Sequence, residues 1–241
     1  MFNEIDIKKG LLDGKRPLPE YTIKSIRENL LLEWTYNSNA IEGNTLTLME
    51  TKVVLEGITV GGKTLREHLE VINHRDAILY VEDIVKDKEP LTEWQIKNIH
   101  RLVLKGINDN YAGNYRDQQV IISGAKHISP EPFLIKEQME NLIKWYDDSQ
   151  NLHPIERAAM LHIIFVGIHP FVDGNGRTSR LLLNLELMKN GYPPIVIRTE
   201  NRVDYYSALD KAHITGENED FIKLVIKELD KTLDLYLKYV K

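Results

Sequence analysis

Apolar residues recur at helical spacing through most of this chain, and that period dictates its fold more than any other feature does. Side chains three and four residues apart stack on one face of a helix, and that face must be buried against another helix. Ile23, Ile26, Leu30, Leu31 and Trp34 form the first such face. Their segment opens at Pro19-Glu20-Tyr21 and runs to Ile41-Glu42, with Gly43 as a left-handed stop. A second helix is expected over 48–55, ended by Gly57. After the turn at 59–63, a long one follows over 65–86 with Leu69, Ile72, Ile78, Val81 and Val85 inward. Thr92 with Gln95 reads as a capping box, and the helix it starts ends near Gly106. Further helices are expected over 133–147, 154–168, 176–190, 203–215 and 220–239. Only 113–124 breaks the period. Val120, Ile121, Ile122 and Ser123 have strand character and 127–132 returns from them, which reads as a short β-hairpin. The expected architecture is all-α: a helical bundle with a small β-hairpin flap.

Composition narrows the function. The 241 residues suit one compact unit, softly divided at the charged link 86–90 into an N-terminal helical region, 1–88, and a core, 89–241. Lys and Arg number 31 against 36 Asp and Glu, a net charge of −5, which argues against a protein that coats nucleic acid. Having no cysteine, the chain cannot build a disulfide framework, a thiolate metal site or a cysteine nucleophile. No signal-peptide pattern opens it, and no apolar run approaches the roughly 20 residues that cross a bilayer. The sequence therefore reads as a cytoplasmic protein that keeps its N-terminus, with neither nucleic-acid nor membrane partners.

The chemistry concentrates between His169 and Arg180, in the run HPFVDGNGRTSR. Gly174 and Gly176 bare the backbone at a helix start, where unpaired N–H groups and the helix dipole make an anion site. Arg177 and Arg180, one turn apart, are expected to face one pocket. Asp173 at its rim can hold a Mg²⁺ that is already bound to phosphate oxygens. His169 can take a proton from an attacking hydroxyl near neutral pH. Singly these signals are weak. A lone His before Pro is usually a loop residue, and two arginines are usually a solvated helix face. Together they supply a base, a metal ligand, an anion cradle and phosphate clamps, the parts that phosphoryl or nucleotidyl transfer requires.

This run resembles the signature of Fic-domain proteins, His-x-Phe-x-Asp-Gly-Asn-Gly-Arg-x-x-Arg, at every position from His169 to Arg180. The likeness extends over roughly 111–237. It implies the Fic fold and transfer of AMP from ATP to a protein hydroxyl, with Mg²⁺ as cofactor. By resemblance His169 is the general base and Phe171 a core anchor, while Asp173 ligates the metal. Gly174, Asn175, Gly176, Arg177, Thr178, Ser179 and Arg180 line the phosphates. Tyr205 and Tyr206 lie near the adenine, and His213 falls where close relatives carry an Asn that reads it. The flap, Val120, Ile121, Ile122, Ser123 and Gly124, would hold the target by strand addition. Upstream, Ser38-Asn39-Ala40-Ile41-Glu42-Gly43-Asn44 matches the family's inhibitory pattern, which marks a class II member. Glu42, with Ser38 and Gly43, would then occupy the Arg180 guanidinium that the ATP γ-phosphate needs. The partners implied are ATP and a target protein that the sequence does not identify, with self-modification expected and a homodimer allowed. Two further readings stay open. Glu42 can orient a water that removes AMP from a modified target, or the chain is a non-catalytic nucleotide-sensing or interaction module.

Overall fold

A computed structural model of the protein describes residues 1–122 and 124–240. Ten α-helices follow in chain order among these residues. They are α1 (Asn3–Asp13), α2 (Glu20–Ile41), α3 (Leu48–Leu55), α4 (Leu65–Lys86) and α5 (Glu93–Leu104), then α6 (Ile135–Asp148), α7 (Pro154–Ile168), α8 (Asn175–Lys189), α9 (Arg202–Thr215) and α10 (Glu219–Tyr239). Several boundaries follow from local chemistry. Thr47 with Glu50, Thr64 with Glu67 and Thr92 with Gln95 each close a capping box at the starts of α3, α4 and α5. Pro154 occupies the first position of α7, where its missing N–H costs nothing.

The pair α7 and α8 forms the centre. Ile155, Ala158, Ala159, Leu161, Ile163, Phe165 and Ile168 leave α7 apolar nearly all round, so it is buried on all sides. Against one side pack Ile26, Leu30 and Trp34 of α2, Ile78 and Val81 of α4, Ile96 and Ile99 of α5 and Met139 of α6. This cluster runs across residue 88 without a break. Against the other side pack Ile5 and Leu12 of α1, Tyr205 and Leu209 of α9, and Phe221, Val225 and Leu229 of α10. The chain between α7 and α8 is thereby held on a rigid pair, and the C-terminus of α2 is brought over the start of α8.

Two features depart from the expectations. Helix α1 was not expected, because only Ile5 and Leu12 of its eleven residues are buried and its own apolar pattern is faint. The β-hairpin is not seen: there is no strand among the described residues, and those of 117–131 form an irregular arm. Its backbone groups find other partners. The Arg116 guanidinium donates to Gln118 O (2.9 Å) and Pro130 O (2.6 Å), and Gln119 Nε2 donates to Ser129 O (3.0 Å). The Lys126 and His127 amides donate to Asp210 on α9 at 2.9 and 3.1 Å. Side chains thus hold together what a ladder of backbone bonds was expected to hold. Ser123 lies outside the described residues.

Candidate active site

His169 ends α7 in the left-handed region, at φ +50°, a conformation that costs a residue with a side chain energy. Its Nδ1 lies 3.3 Å from Val166 O, so that nitrogen donates and Nε2 keeps a bare lone pair. Burial pushes the imidazole down to about 4, with the nearby Arg116 adding to this and the Val166 carbonyl and Glu42 opposing it. The ring is therefore neutral near pH 7, the form that can accept a proton. Arg116, 2% exposed, bolts this corner down: its Nε donates to His169 O (2.9 Å) and its amide to Pro170 O (2.9 Å).

The loop that follows is braced from within. Asn175 Oδ1 accepts the Phe171 amide at 3.0 Å and its Nδ2 donates back to Phe171 O at 2.8 Å. Phe171 is fully buried and stacks on His100, with ring centroids 3.5 Å apart. His100 Nε2 donates to Asp173 O at 2.8 Å, while its Nδ1 accepts the Gly113 amide at 2.9 Å. Gly174, at φ +78°, then turns the chain into α8, whose second residue, Gly176, lines the cavity.

The motif's arginines part company. Arg177 is 2% exposed and points to acids, with Nη2 3.2 Å from Asp173 Oδ1 and Nη1 3.4 Å from Glu70 Oε1. Arg180 is 3% exposed and turns to α2, where Nε donates to Ser38 Oγ (2.9 Å) and Nη2 to Ser38 O (2.8 Å) and Glu42 Oε1 (2.7 Å). Ser38 and Glu42 are one turn apart at the end of α2, so both reach the same guanidinium. A carboxylate is poorly placed at a helix C-terminus. Here it faces the positive start of α8, so closely that a Cβ on Gly176 would overlap Glu42 Oε1.

A cavity of about 460 Å³, of the size that takes a small-molecule ligand, is lined by Glu42, His169, Gly176, Tyr205, Tyr206 and His213, and by Ile121, Ile122 and Gly124 of the arm. Asn175, Arg177, Thr178 and Ser179 do not line it, and all four are nearly or wholly buried. Ser179 Oγ instead donates to Gly176 O at 2.8 Å. Tyr205 lies beneath Arg180, its hydroxyl accepting from Nη1 at 3.2 Å, and Tyr206 donates to Ile41 O at 3.3 Å. Val120 stands half-buried at the root of the arm.

Asp173 is the residue suited to a cation. Burial raises its carboxyl, but Arg177, the Gly174 amide and Arg66 outweigh that and hold it below the usual range, hence ionised. Its Oδ2 takes Arg66 Nη2 at 2.7 Å, and Arg66 also reaches Glu70. Among the described residues no cluster of three His, Asp or Glu forms a metal cage. One carboxylate beside an anion cradle fits a Mg²⁺ that takes its other oxygens from a nucleotide's phosphates.

Some residues of the site escaped the sequence. Arg202 and Asp210 line the cavity from α9, and their spacing from Tyr206, four residues to either side, was a usable signal. Arg66, Glu70, His100 and His127 are brought in by tertiary packing, and no local pattern announced them.

The site is thus a rigid helical pair that presents a histidine, a glycine-rich helix start and a restrained arginine on an all-helical fold. The comparisons name the family: a model of the Fic/DOC family matches residues 90–187, and this chain belongs to it. Protein adenylyltransferase Fic of Nematostella vectensis is 40% identical over 241 residues, covering 98% of this chain and 56% of the relative. Protein adenylyltransferase fic-1 of Caenorhabditis elegans is 37% identical over 223 residues, covering 90% of this chain and 43% of the relative. The chain thus spans about half the length of these curated relatives. Among solved structures, a Fic domain containing signaling protein of Bacteroides thetaiotaomicron superposes with TM-score 0.89 at 32% identity, covering 98% of this chain and 97% of that one. Fic-1 of C. elegans does so with TM-score 0.86 at 32% identity, covering 98% of this chain and 73% of that one.

Proposed function

We propose that this chain transfers AMP from Mg-ATP to a hydroxyl on a protein, itself included, and that Glu42 restrains the reaction. The names of its relatives support the activity. The observation that carries the restraint is the Glu42–Arg180 pair at 2.7 Å, seated on the start of α8. A terminal phosphate of ATP needs that guanidinium and those N–H groups, and it meets a carboxylate there instead.

With Glu42 displaced, the start of α8 holds phosphate oxygens and Arg180 clamps the far end of the chain of phosphates. Arg177, buried between Asp173 and Glu70, keeps Asp173 aimed and ionised. Asp173 would hold Mg²⁺, whose chemistry here is to offset charge on the phosphates. The hydroxyl oxygen of the target bonds to the α-phosphorus as the bond to the bridging oxygen of pyrophosphate breaks. His169 Nε2 takes the hydroxyl proton. Ile121 and Ile122 sit where a target segment would pass over the cavity.

One observation favours a second activity at the same site. Glu42 Oε2 has no hydrogen-bond partner among the described residues and belongs to a residue lining the cavity. It can take a proton from water and so help to remove AMP from a modified protein.

Labelled ATP with the parent and with Glu42→Gly tests both readings. Labelling rises in the variant if the pair is a restraint, and unchanged labelling ends that assignment. Release of AMP from pre-modified protein slows in the same variant if Glu42 handles the water, and unaffected release removes that role. No labelling in either version, with ATP still bound, identifies a nucleotide-sensing module instead.

A further inference from the structure

Asp173 turns its two carboxylate oxygens to different kinds of partner. Oδ1 is held from within the loop and from α8: it takes the Gly174 amide and, at 3.2 Å, Nη2 of the buried Arg177. Oδ2 has one partner among the described residues, Arg66 Nη2 at 2.7 Å, from a side chain that is 58% exposed. A buried clasp therefore fixes the carboxylate, and an exposed one covers the oxygen that is left.

Local chemistry does not explain Arg66. It is the second residue of α4, and a cation in the first turn of a helix faces the positive end of the dipole. What holds it there is acid from two elements: Asp173 from the loop, and Glu70 one turn along α4, whose Oε1 takes Arg66 Nε at 3.1 Å. Glu70 is itself anchored. Its Oε2 takes Asn44 Nδ2 at 2.9 Å, and its Oε1 stands 3.4 Å from Arg177 Nη1. Arg66 can thus let go of Asp173 and stay paired with Glu70.

We propose that Arg66 occupies the metal's place on Asp173 and is exchanged for it: the guanidinium covers Oδ2 until Mg²⁺ arrives with a nucleotide, and then withdraws to Glu70. The proposal rests on reading Asp173 as the metal ligand of the transferase site. The exchange is easy, because an exposed ion pair shifts an equilibrium by about fivefold at most. It is also selective. A single carboxylate holds Mg²⁺ weakly, so the ion able to displace Arg66 is one that phosphate oxygens already carry. Arg66 thereby keeps Asp173 paired in the empty site and yields it to a Mg-nucleotide.

The experiment measures by calorimetry how much Mg²⁺ tightens nucleotide binding, in a Glu42→Gly background throughout. The probe is α,β-methylene-ATP, which cannot give up AMP. It is bound in EDTA and in excess Mg²⁺, and the ratio of the two affinities is the gain that the metal brings. Arg66→Gln is expected to enlarge this gain by about two- to fivefold, the worth of an exposed ion pair that no longer has to be broken. In Asp173→Asn the gain falls, and adding Arg66→Gln then changes nothing, because no pair is left to break. An unchanged or smaller gain in Arg66→Gln overturns the proposal. So does an equal rise in the Asp173→Asn background, which would mean that Arg66 acts on the phosphates and not on the carboxylate. A gain that survives Asp173→Asn intact puts the metal elsewhere and overturns both the exchange and the metal assignment. Labelling with Mg-ATP separates the exchange from the transferase reading. An exchange seen in binding with no labelling leaves the exchange standing and removes the transferase. Labelling that needs Mg²⁺, with a gain that Arg66→Gln leaves alone, does the reverse.

Discussion

The loop from 169 to 174 and the arm from 117 to 131 border one cavity, and side chains clasp the backbone of both, but to different depths. The loop is held by buried side chains. Asn175 clasps both polar groups of Phe171, and His100 supports the ring and the Asp173 carbonyl together. The arm is tied at its root by Arg116 and Gln119 and at its far end by Asp210. Ile121 is 93% exposed and Ile128 82%. Reactive geometry demands the first arrangement, because a base displaced by an ångström loses its reaction. Contact with a variable protein surface is served by the second. Apolar side chains left in water gain free energy only when a partner covers them.

The largest break in this comparison comes from the loop. His169→Ala removes the proton acceptor and is expected to lower AMP transfer by about 10²–10⁴-fold. ATP binding should survive, because the base acts on the incoming hydroxyl and not on bound nucleotide. Initial rates of labelling beside calorimetric binding, both in a Glu42→Gly background, check the two halves. Transfer at the parental rate would take His169 out of the chemistry.

A smaller effect sharpens the contrast in stability. Asn175→Ala strands the buried Phe171 amide and carbonyl, each costing about 1–3 kcal/mol when unpaired. Gln119→Ala removes two partly buried bonds in the arm, the one it donates to Ser129 O and the one it accepts from Arg116, each worth about 1 kcal/mol at most where water can replace the partner. Thermal or urea unfolding of the two variants should rank them clearly. Equal losses would mean that the arm is as deeply built in as the loop.

The same contrast explains what the sequence disclosed. The bounds of α4 and α7 were legible to the residue, because Thr64 with Glu67 and Pro154 fix their starts through local chemistry. The loop was legible because its parts lie within a dozen consecutive residues. The contact of Glu42 with Arg180 was legible through the likeness to the Fic inhibitory pattern, and the Ser38–Glu42 spacing puts both side chains on one face. The arm was misjudged. Val120, Ile121 and Ile122 have strand propensity, but propensity yields to tertiary partners, and here Asp210, more than eighty residues away, takes the amides that a ladder needed. Arg177 was misjudged for a related reason. Residues three apart on a helix diverge by about 60°, and Glu70 with Asp173 drew this side chain inward while Ser38 and Glu42 drew Arg180 the other way. His127 joins the cavity wall through contacts of the same long range, with Gly167 and Asp210, which no window of sequence displays.

The smallest expected effect isolates the arm. Ile121→Ala trims a side chain that is 93% exposed, so folding stability should stay within about 0.5 kcal/mol of the parent. Nucleotide binding should hold as well, since Arg180 and the start of α8 are untouched. What should fall, by a few-fold, is labelling of a separate protein target, because the lost apolar area would have been covered by that target. The loss should appear in the dependence on target concentration, with the rate at saturation retained, as for an interaction equal in ground and transition states. Ile128→Ala, on the return side of the arm, is the matched comparison at similar exposure. If both substitutions leave target labelling unchanged, the arm's exposed residues do not meet the target. If Ile121→Ala lowers ATP binding instead, the arm closes on the nucleotide, and the division between a rigid loop that reacts and an open arm that recognises gives way.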